Sequence, residues 1–368
     1  MKKSLLTMAA LAAFSPALFA QSSVTLFGVL DAGVGRISNS GAGSTNGITN
    51  GANTTSRLGF RGTEDLGGGL AASFWLEGEV QADNGNAAGF NFVRRSTVSL
   101  SGNFGEVRLG RDFTAHYLNM IAFDSAAQRG FGTIENYGPG AGVTTSGGAG
   151  LSYIRTSNAV SYFLPATLGG FYGSVQYAFG ERNSDTPTTA TNSDKQGNYL
   201  GGRAGFTNGA LDVAAGYGVF YDVSRNAAYV DDYKVANLGA SYNFGFIKPM
   251  AFFQRETLDG RGALPEFKFN TYAIGFTAPL GAGLLRGQIS RYDNKSANAS
   301  NLDANKVSVG YAYNLSKRTA IYAEVARVNN QGAGNFVVGT VGGSIPNVNA
   351  PTPGGNSTGY VVGLKHTF

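Results

Sequence analysis

Apolar and polar residues alternate along most of this chain, in segments of about 8 to 16 residues separated by runs rich in Gly, Asn, Ser and Asp. A period of two is typical of β-strands with one apolar face, because successive side chains point to opposite sides. The pattern continues to the last residue, with Tyr360, Val362, Leu364, His366 and Phe368 on the more apolar face. A strand that is apolar to the chain end indicates a sheet that closes on itself within lipid.

Sixteen such segments follow one another from residue 22 onward, and short connections alternate with long ones. This alternation is typical of transmembrane barrels. The sequence therefore predicts an all-β fold, a transmembrane antiparallel β-barrel of 16 strands, with both termini at the end that carries the short turns. Long connections are expected at residues 38–53 and 222–231, among others. The competing interpretation is a soluble protein with several β-sheets.

The amino terminus has the layout of a secretory signal peptide. Lys2 and Lys3 precede a mostly apolar stretch, Pro16 interrupts it, and Ala20 precedes Gln21. We therefore predict a signal peptide at residues 1–20 and a barrel domain at residues 21–368. Export through the periplasm to the cell outer membrane follows from both features together.

Composition agrees with a membrane barrel. Charged residues make up 14% of the chain, against about 25% in typical soluble domains. The 55 glycines are accompanied by 25 Phe, 18 Tyr and only 10 Pro, which suits strands and tight turns better than disorder. The chain has no cysteine, so neither disulfides nor thiolate metal sites are available.

The longest connection, residues 113–156, exceeds the usual length of a structureless loop. It contains six aromatic residues together with the apolar Leu118, Met120 and Ile121. Its charges include Asp124, Arg129 and Glu135. Such an apolar loop is expected to pack inside the barrel and narrow the lumen.

Six segments, taken together, resemble those of one known family. They occur in order at residues 23–28, 56–66, 94–100, 105–112, 155–162 and 363–368, and include SRLGFRGTEDL and GEVRLGRD. On these segments the chain resembles the general porins of Gram-negative bacteria, in the β-proteobacterial branch of the trimeric 16-stranded porins.

The resemblance implies a homotrimer in which the third long loop of each subunit, here residues 113–156, folds into the barrel. It also implies an arginine cluster on the wall opposite this loop, at Arg57, Arg94 and Arg155. Glu77 is expected as an acidic wall residue near them.

Alternation supports part of this arrangement independently. Apolar side chains alternate with arginines between residues 57 and 61, which turns Arg57 and Arg61 toward the lumen. The same reasoning turns Arg108 inward and Arg111 outward.

Residues 94–100 are ambiguous. The apolar residues at even positions favour an outward even face, whereas the resemblance turns Arg94 inward. We follow the resemblance, with Thr97 and Ser99 then outward at a subunit interface, and Arg95 as the alternative wall residue.

The expected constriction carries more positive than negative charge. Its acids are Glu77 and, from the loop, Asp124 and Glu135, which are alternatively solvated loop charges. Because fixed charges act on ions within about 8 Å at physiological salt, we predict a modest anion preference. The basic residues of the constriction are Arg57, Arg61, Arg94, Arg108 and Arg155.

The sequence gives little support for a catalytic, metal-binding or nucleic-acid-binding function. His116 and His366 are the only histidines, and no metal-ligand, Walker-type or nucleophile motif is present. The glycines in residues 33–36 lack the helix that a phosphate loop requires. We therefore predict no enzyme activity, no cofactor, no metal site and, because basic residues are not clustered, no nucleic-acid partner.

These observations predict an outer-membrane diffusion channel for small hydrophilic solutes and ions. Its expected partners are lipid, lipopolysaccharide, two further copies of the chain and, during biogenesis, the barrel-assembly machinery, which would read the terminal strand at Tyr360 and Phe368. The alternatives are a substrate-specific channel and, with less support, a barrel enzyme or adhesin.

Overall fold

The computed structural model describes residues 23–85, 90–135, 137–138, 153–185, 193–226, 229–260, 265–296, 302–339 and 345–368. The predicted signal peptide, residues 1–20, lies outside this part of the chain. No helix among the described residues is long and apolar enough to cross a membrane. The elements are β1 (Ser23–Asn39), β2 (Gly43–Asn50), β3 (Arg57–Gly67), β4 (Leu70–Glu79), β5 (Arg95–Gly102), β6 (Gly105–Phe113), α1 (Ala115–Ala122), β7 (Arg155–Phe163), β8 (Phe171–Ala178), β9 (Tyr199–Thr207), β10 (Leu211–Asn226), β11 (Tyr229–Tyr242), β12 (Lys248–Leu258), β13 (Phe267–Leu280), β14 (Gly283–Asn294), β15 (Ala304–Asn314), β16 (Thr319–Asn330) and β17 (Asn356–Thr367).

The strands form one antiparallel sheet that closes into a barrel, because β1 pairs with β17 along residues 29–39. On its other side, β1 pairs with both β2 and β3. These two strands therefore share one position in the barrel, and the 17 strands fill 16 positions. The predicted 16-stranded barrel is confirmed.

Outward side chains are apolar and exposed, whereas inward ones are polar or packed. In β17, Tyr360, Val362 and Leu364 are 50–64% exposed, whereas Val361 between them is 2% exposed. A closed barrel satisfies its backbone hydrogen bonds internally, so this outer surface suits lipid.

Short and long connections alternate around most of the barrel, and we call its two ends the short-turn end and the long-loop end. Two of the expected long connections are wrong. Residues 43–50 form β2, whose sequence GSTNGITN lacks apolar alternation but pairs with the protruding part of β1. Most of residues 222–231 also belongs to strands, because β10 continues to Asn226 and β11 begins at Tyr229.

The loop between β6 and β7 enters the barrel, as its apolar composition predicts. Helix α1 packs against β9, β10 and β11. A side chain at Gly239 of β11 would lie 2.0 Å from the Phe123 ring, so this glycine provides the space for the loop. One buried cluster packs the loop against β7 to β13, and a second packs it against β1 and β13 to β17. The opposite wall, from β3 to the start of β7, borders the remaining space.

Candidate functional site

The wall opposite the loop, from β3 to the start of β7, carries charged residues on the lumen-facing positions of β3 and β4. Arg57 and Arg61 alternate with outward Leu58 and Phe60, as the sequence pattern predicts. Arg61 lies opposite Trp75 in the sheet register. The inner face of these strands therefore carries two arginines, spaced four residues apart.

Glu77 joins the arginines of the wall. The Arg94 Nε donates to Glu77 Oε1 at 2.7 Å, and the Arg57 Nε lies 4.0 Å from Oε2. The indole of Trp75 also donates to Glu77 Oε2 at 3.2 Å. Because Glu77 is only 8% exposed, its main effect is to hold two guanidinium groups and one aromatic ring in place.

The expected orientation of residues 94–100 is wrong in part. Thr97 and Ser99 face the lumen, and the even positions face outward. The strand begins at Arg95, so Arg94 precedes it and reaches Glu77 from outside the strand alternation. Arg94 and Arg95 therefore both lie on the lumen side.

The remaining wall arginines are held by neighbouring groups. Arg108 donates to Glu106 at 2.9 Å and to Asp112 at 2.6 Å. Arg155 lies over the Phe113 ring, with 4.2 Å from its guanidinium carbon to the ring centroid. Its Nε donates to the backbone carbonyl of Arg94 at 2.7 Å, and this hydrogen bond helps to fix the position of Arg94.

Asp124 does not face the lumen. It is 4% exposed and accepts hydrogen bonds from the backbone N–H groups of Ala126, Gln128 and Ile134. The Thr133 hydroxyl donates to it as well. The expectation of a constriction acid is wrong here, because the carboxylate is used to fold the loop on itself.

Glu135 is also buried, with 0% exposure. It accepts a hydrogen bond from the Lys306 ammonium at 2.8 Å and another from the Gly339 backbone at 2.8 Å. Lys306 lies on β15, so this ion pair attaches the loop to the wall. Glu135 therefore anchors the loop instead of lining the passage.

Arg129 is the charge that the loop does present to the open space. It borders a cleft of about 360 Å³, together with Arg57 and Arg94 of the wall. The sequence shows Arg129 as one of three loop charges, but alternation does not extend into loops, so its direction was not predictable.

Two open clefts lie along the wall opposite the loop, and only the first of them is also bordered by described loop residues. The first lies beside Arg129, and the second, of about 470 Å³, lies nearer the short-turn end. Their described linings contain six arginines against three carboxylates, an excess of three positive charges. The lining charges are Arg57, Arg61, Arg94, Arg95, Arg108 and Arg129, with Glu77, Glu106 and Asp112.

The chain end completes the barrel wall. The backbone N–H and C=O of Phe368 both bond to Gly28, at 3.0 Å each. A side chain at Gly28 would lie 2.3 Å from the Phe368 ring, so the glycine lets the ring lie across β1. Phe368 and Tyr360 are each about half exposed on the outer surface.

The family model described as Gram-negative porin matches residues 7–333. The chain is 41% identical to outer membrane porin protein 32 of Delftia acidovorans, over all of both chains. It is 32% identical to an outer membrane porin protein of Bordetella pertussis, over 88% of this chain and 93% of that one. A solved structure, an anion-selective porin from Comamonas acidovorans, superposes with a TM-score of 0.84 at 40% identity, over 95% of this chain and 100% of that one.

Proposed function

The chain belongs to the Gram-negative porin family, and from this premise we propose that it passes small anions in preference to cations through a water-filled channel in the outer membrane. The single observation that carries the preference is the excess of three positive charges along the two clefts. Passage is passive and requires no covalent step and no cofactor. The anion-selective relative from Comamonas acidovorans supports the same direction.

The charges of the wall and the loop determine how this preference arises. The described loop supplies Arg129 to the passage, and the carboxylates lie on the wall beside the arginines. The field across the passage is therefore weaker than opposed arginines and acids would give, and the net positive potential dominates. Fixed charges of one sign at close range exclude ions of that sign.

Reversal potentials at low salt test the proposal. We expect anion preference, which should fade as salt shortens the Debye length below about 8 Å. The triple variant Arg57→Gln, Arg94→Gln, Arg129→Gln removes three of the charges that line the first cleft and should shift selectivity toward cations. Arg129→Gln alone should do so to a smaller extent. Arg318→Gln, in an exposed turn outside the lumen, is the matched control. Cation preference of the unmodified protein, or an unchanged triple variant, would refute the charge assignment.

A homotrimer forms part of this proposal. Its support is Arg111, which pairs with outward Ser96 and donates to the Ser157 hydroxyl at 2.8 Å. An arginine on a lipid-facing position costs up to about 2–4 kcal/mol at the bilayer midplane, which favours a protein neighbour at this wall. Unheated electrophoresis should give a trimer band, and a monomer band alone would contradict it.

A further inference from the structure

Basic side chains occupy outward positions on four adjacent strands, β11 to β14, near the long-loop end of the barrel. We call Lys234, Arg255, Lys268 and Arg291, one on each strand, the basic patch. We propose that the basic patch binds a phosphorylated glycolipid of the outer leaflet, lipopolysaccharide, on the outside of the barrel. The site rests on the proposed outer-membrane channel with its long loops facing outward, because lipopolysaccharide occupies the outer leaflet alone.

The outer face of these strands changes character along the barrel axis. Ile274 and Ile289 are 72% and 65% exposed and belong to the apolar band. Next toward the long loops come Phe253 and Tyr272, which pair in the sheet register and have 5.1 Å between ring centroids. Aromatic residues typically mark the boundary between hydrocarbon and head groups in such barrels. The basic patch lies at and just beyond this boundary, which is the level of lipid phosphates.

Arg255 presents a guanidinium group that no described carboxylate neutralises. Its Nε donates to the Asn270 side-chain oxygen at 3.0 Å, and the Asn270 amide donates to the Tyr272 hydroxyl at 3.1 Å. Among the described residues, Asn270 is the only hydrogen-bond partner of Arg255. The guanidinium is therefore held at one nitrogen and keeps its terminal N–H groups for a ligand. Such groups bind phosphate through two parallel hydrogen bonds.

The two lysines of the patch form exposed ion pairs. Lys234 lies 2.5 Å from Asp259, and Lys268 lies 2.7 Å from Glu266. All four side chains are 34–46% exposed. Because exposed pairs contribute little to stability, a phosphate group can take the place of either carboxylate at small cost.

Arg291 is the most compensated member of the patch. It pairs with Asp293 at 2.6 Å and with Asp303 at 3.3 Å. These two contacts fix its guanidinium at the level of Tyr272, its partner in the register. The binding site therefore centres on Arg255 and the two lysines, with Arg291 as its border toward β15.

The position of the patch around the barrel favours a lipid over another subunit. Strand β13 is halfway round the 16 strand positions from β5. The subunit interface proposed at Ser96 and Arg111 is thus on the opposite side, which leaves the patch facing the membrane.

Three features of this surface together select a glycolipid. Cations suit its phosphates, the Asn270 amide and Tyr272 hydroxyl suit its sugar hydroxyls, and the apolar band with Ile274 suits its acyl chains. A free anion would use the cations alone, and an anionic phospholipid would leave the sugar-binding groups unused. Lipopolysaccharide matches all three.

Native mass spectrometry of the purified, detergent-solubilised protein would count retained lipid. Retention is expected with rough lipopolysaccharide and should be at least about tenfold weaker with its phosphatase-treated form and with phosphatidylglycerol. Arg255→Gln should weaken retention about tenfold, since a charge-assisted hydrogen bond pair is lost. Arg255→Lys keeps the charge but not the fork and should be intermediate. Arg318→Gln, which removes an exposed arginine at the short-turn end, is the matched control and should bind normally.

Unheated electrophoresis would verify that each variant is folded. Equal retention by folded Arg255→Gln and Arg318→Gln would overturn the site. Equal retention of the phosphatase-treated form or of phosphatidylglycerol by the unmodified protein would overturn the assignment to a phosphorylated glycolipid. Inorganic phosphate at the same concentration should leave the glycolipid bound, and full displacement would reduce the patch to an ion site.

Reversal potentials of the same samples report the proposed function separately. Arg255 faces away from the lumen, so Arg255→Gln should keep the anion preference of the unmodified protein. Anion preference without glycolipid retention would refute the site alone.

Discussion

The buried ion pair between Lys306 and Glu135 should control how firmly the loop is held inside the barrel. The side chains are 1% and 0% exposed, with 2.8 Å between ammonium and carboxylate. Lys306 also donates to the Thr133 carbonyl at 2.7 Å, and Glu135 accepts from the Gly339 backbone. One pair thus ties the loop to β15 and to the segment before β17.

Replacing Lys306 by Met removes the ammonium that pairs with the buried Glu135 carboxylate. Breaking a buried pair in this way costs about 3–5 kcal/mol. If that cost falls on loop attachment, the equilibrium constant for local release of the loop rises by about two to four orders of magnitude. The barrel itself should persist, because its strand ladders do not depend on the pair.

Single-channel recordings and liposome swelling would measure the release. Lys306→Met should increase open-channel noise and admit larger sugars. The double variant Lys306→Met, Glu135→Met removes both charges and should restore much of the low open-channel noise of the unmodified protein. Apolar replacement of a whole buried pair often leaves stability unchanged. Lys234→Met is the control, because the Lys234–Asp259 pair is about one-third exposed and such pairs contribute about 0–1 kcal/mol. Noise and size limit in Lys306→Met equal to those of the control would refute the reasoning.

Two other outcomes are expected. Burial lowers the pKa of His116 in α1 to about 3, so the folded loop binds a proton less readily than the unfolded chain and loses stability as the pH falls from about 6.5 toward 3. Open-channel noise should therefore rise on acidification to pH 4.5 and respond less in His116→Gln; equal responses would contradict this. Deleting Phe368 should lower the amount of assembled protein, measured by unheated electrophoresis, without changing the conductance of channels that form; normal assembly would disprove its role.

Alternation predicted the barrel because it is a property of neighbouring residues in one strand. The lumen positions of Arg57, Arg61 and Arg108 follow from it directly, because apolar neighbours must face lipid. The same logic missed β2, since a strand segment that is polar on both faces has no alternation to detect. Its pairing with β1 comes from backbone geometry, which composition does not encode.

Loop residues were predicted less well, for a different physical reason. The length and apolar content of residues 113–156 predicted burial in the lumen, but not which charges would remain at the surface. Asp124 satisfies backbone N–H groups of its own loop, and Glu135 meets Lys306 on a strand 171 residues away. Such partners are set by the tertiary fold. The sequence alone therefore does not show that Arg129 faces the passage whereas both acids are buried.

The wall carboxylates explain how so many arginines lie close together. Like charges repel, and Arg57, Arg94 and Arg95 border one cleft. Glu77 pairs with Arg57 and Arg94, and Asp112 with Arg95, at 2.7–4.0 Å, which fixes the guanidinium groups without neutralising the set. An acid on the loop, by contrast, would face the arginines across the passage and attract the ions that they exclude. Placing the acids beside the bases therefore keeps the passage positive and the arginines ordered.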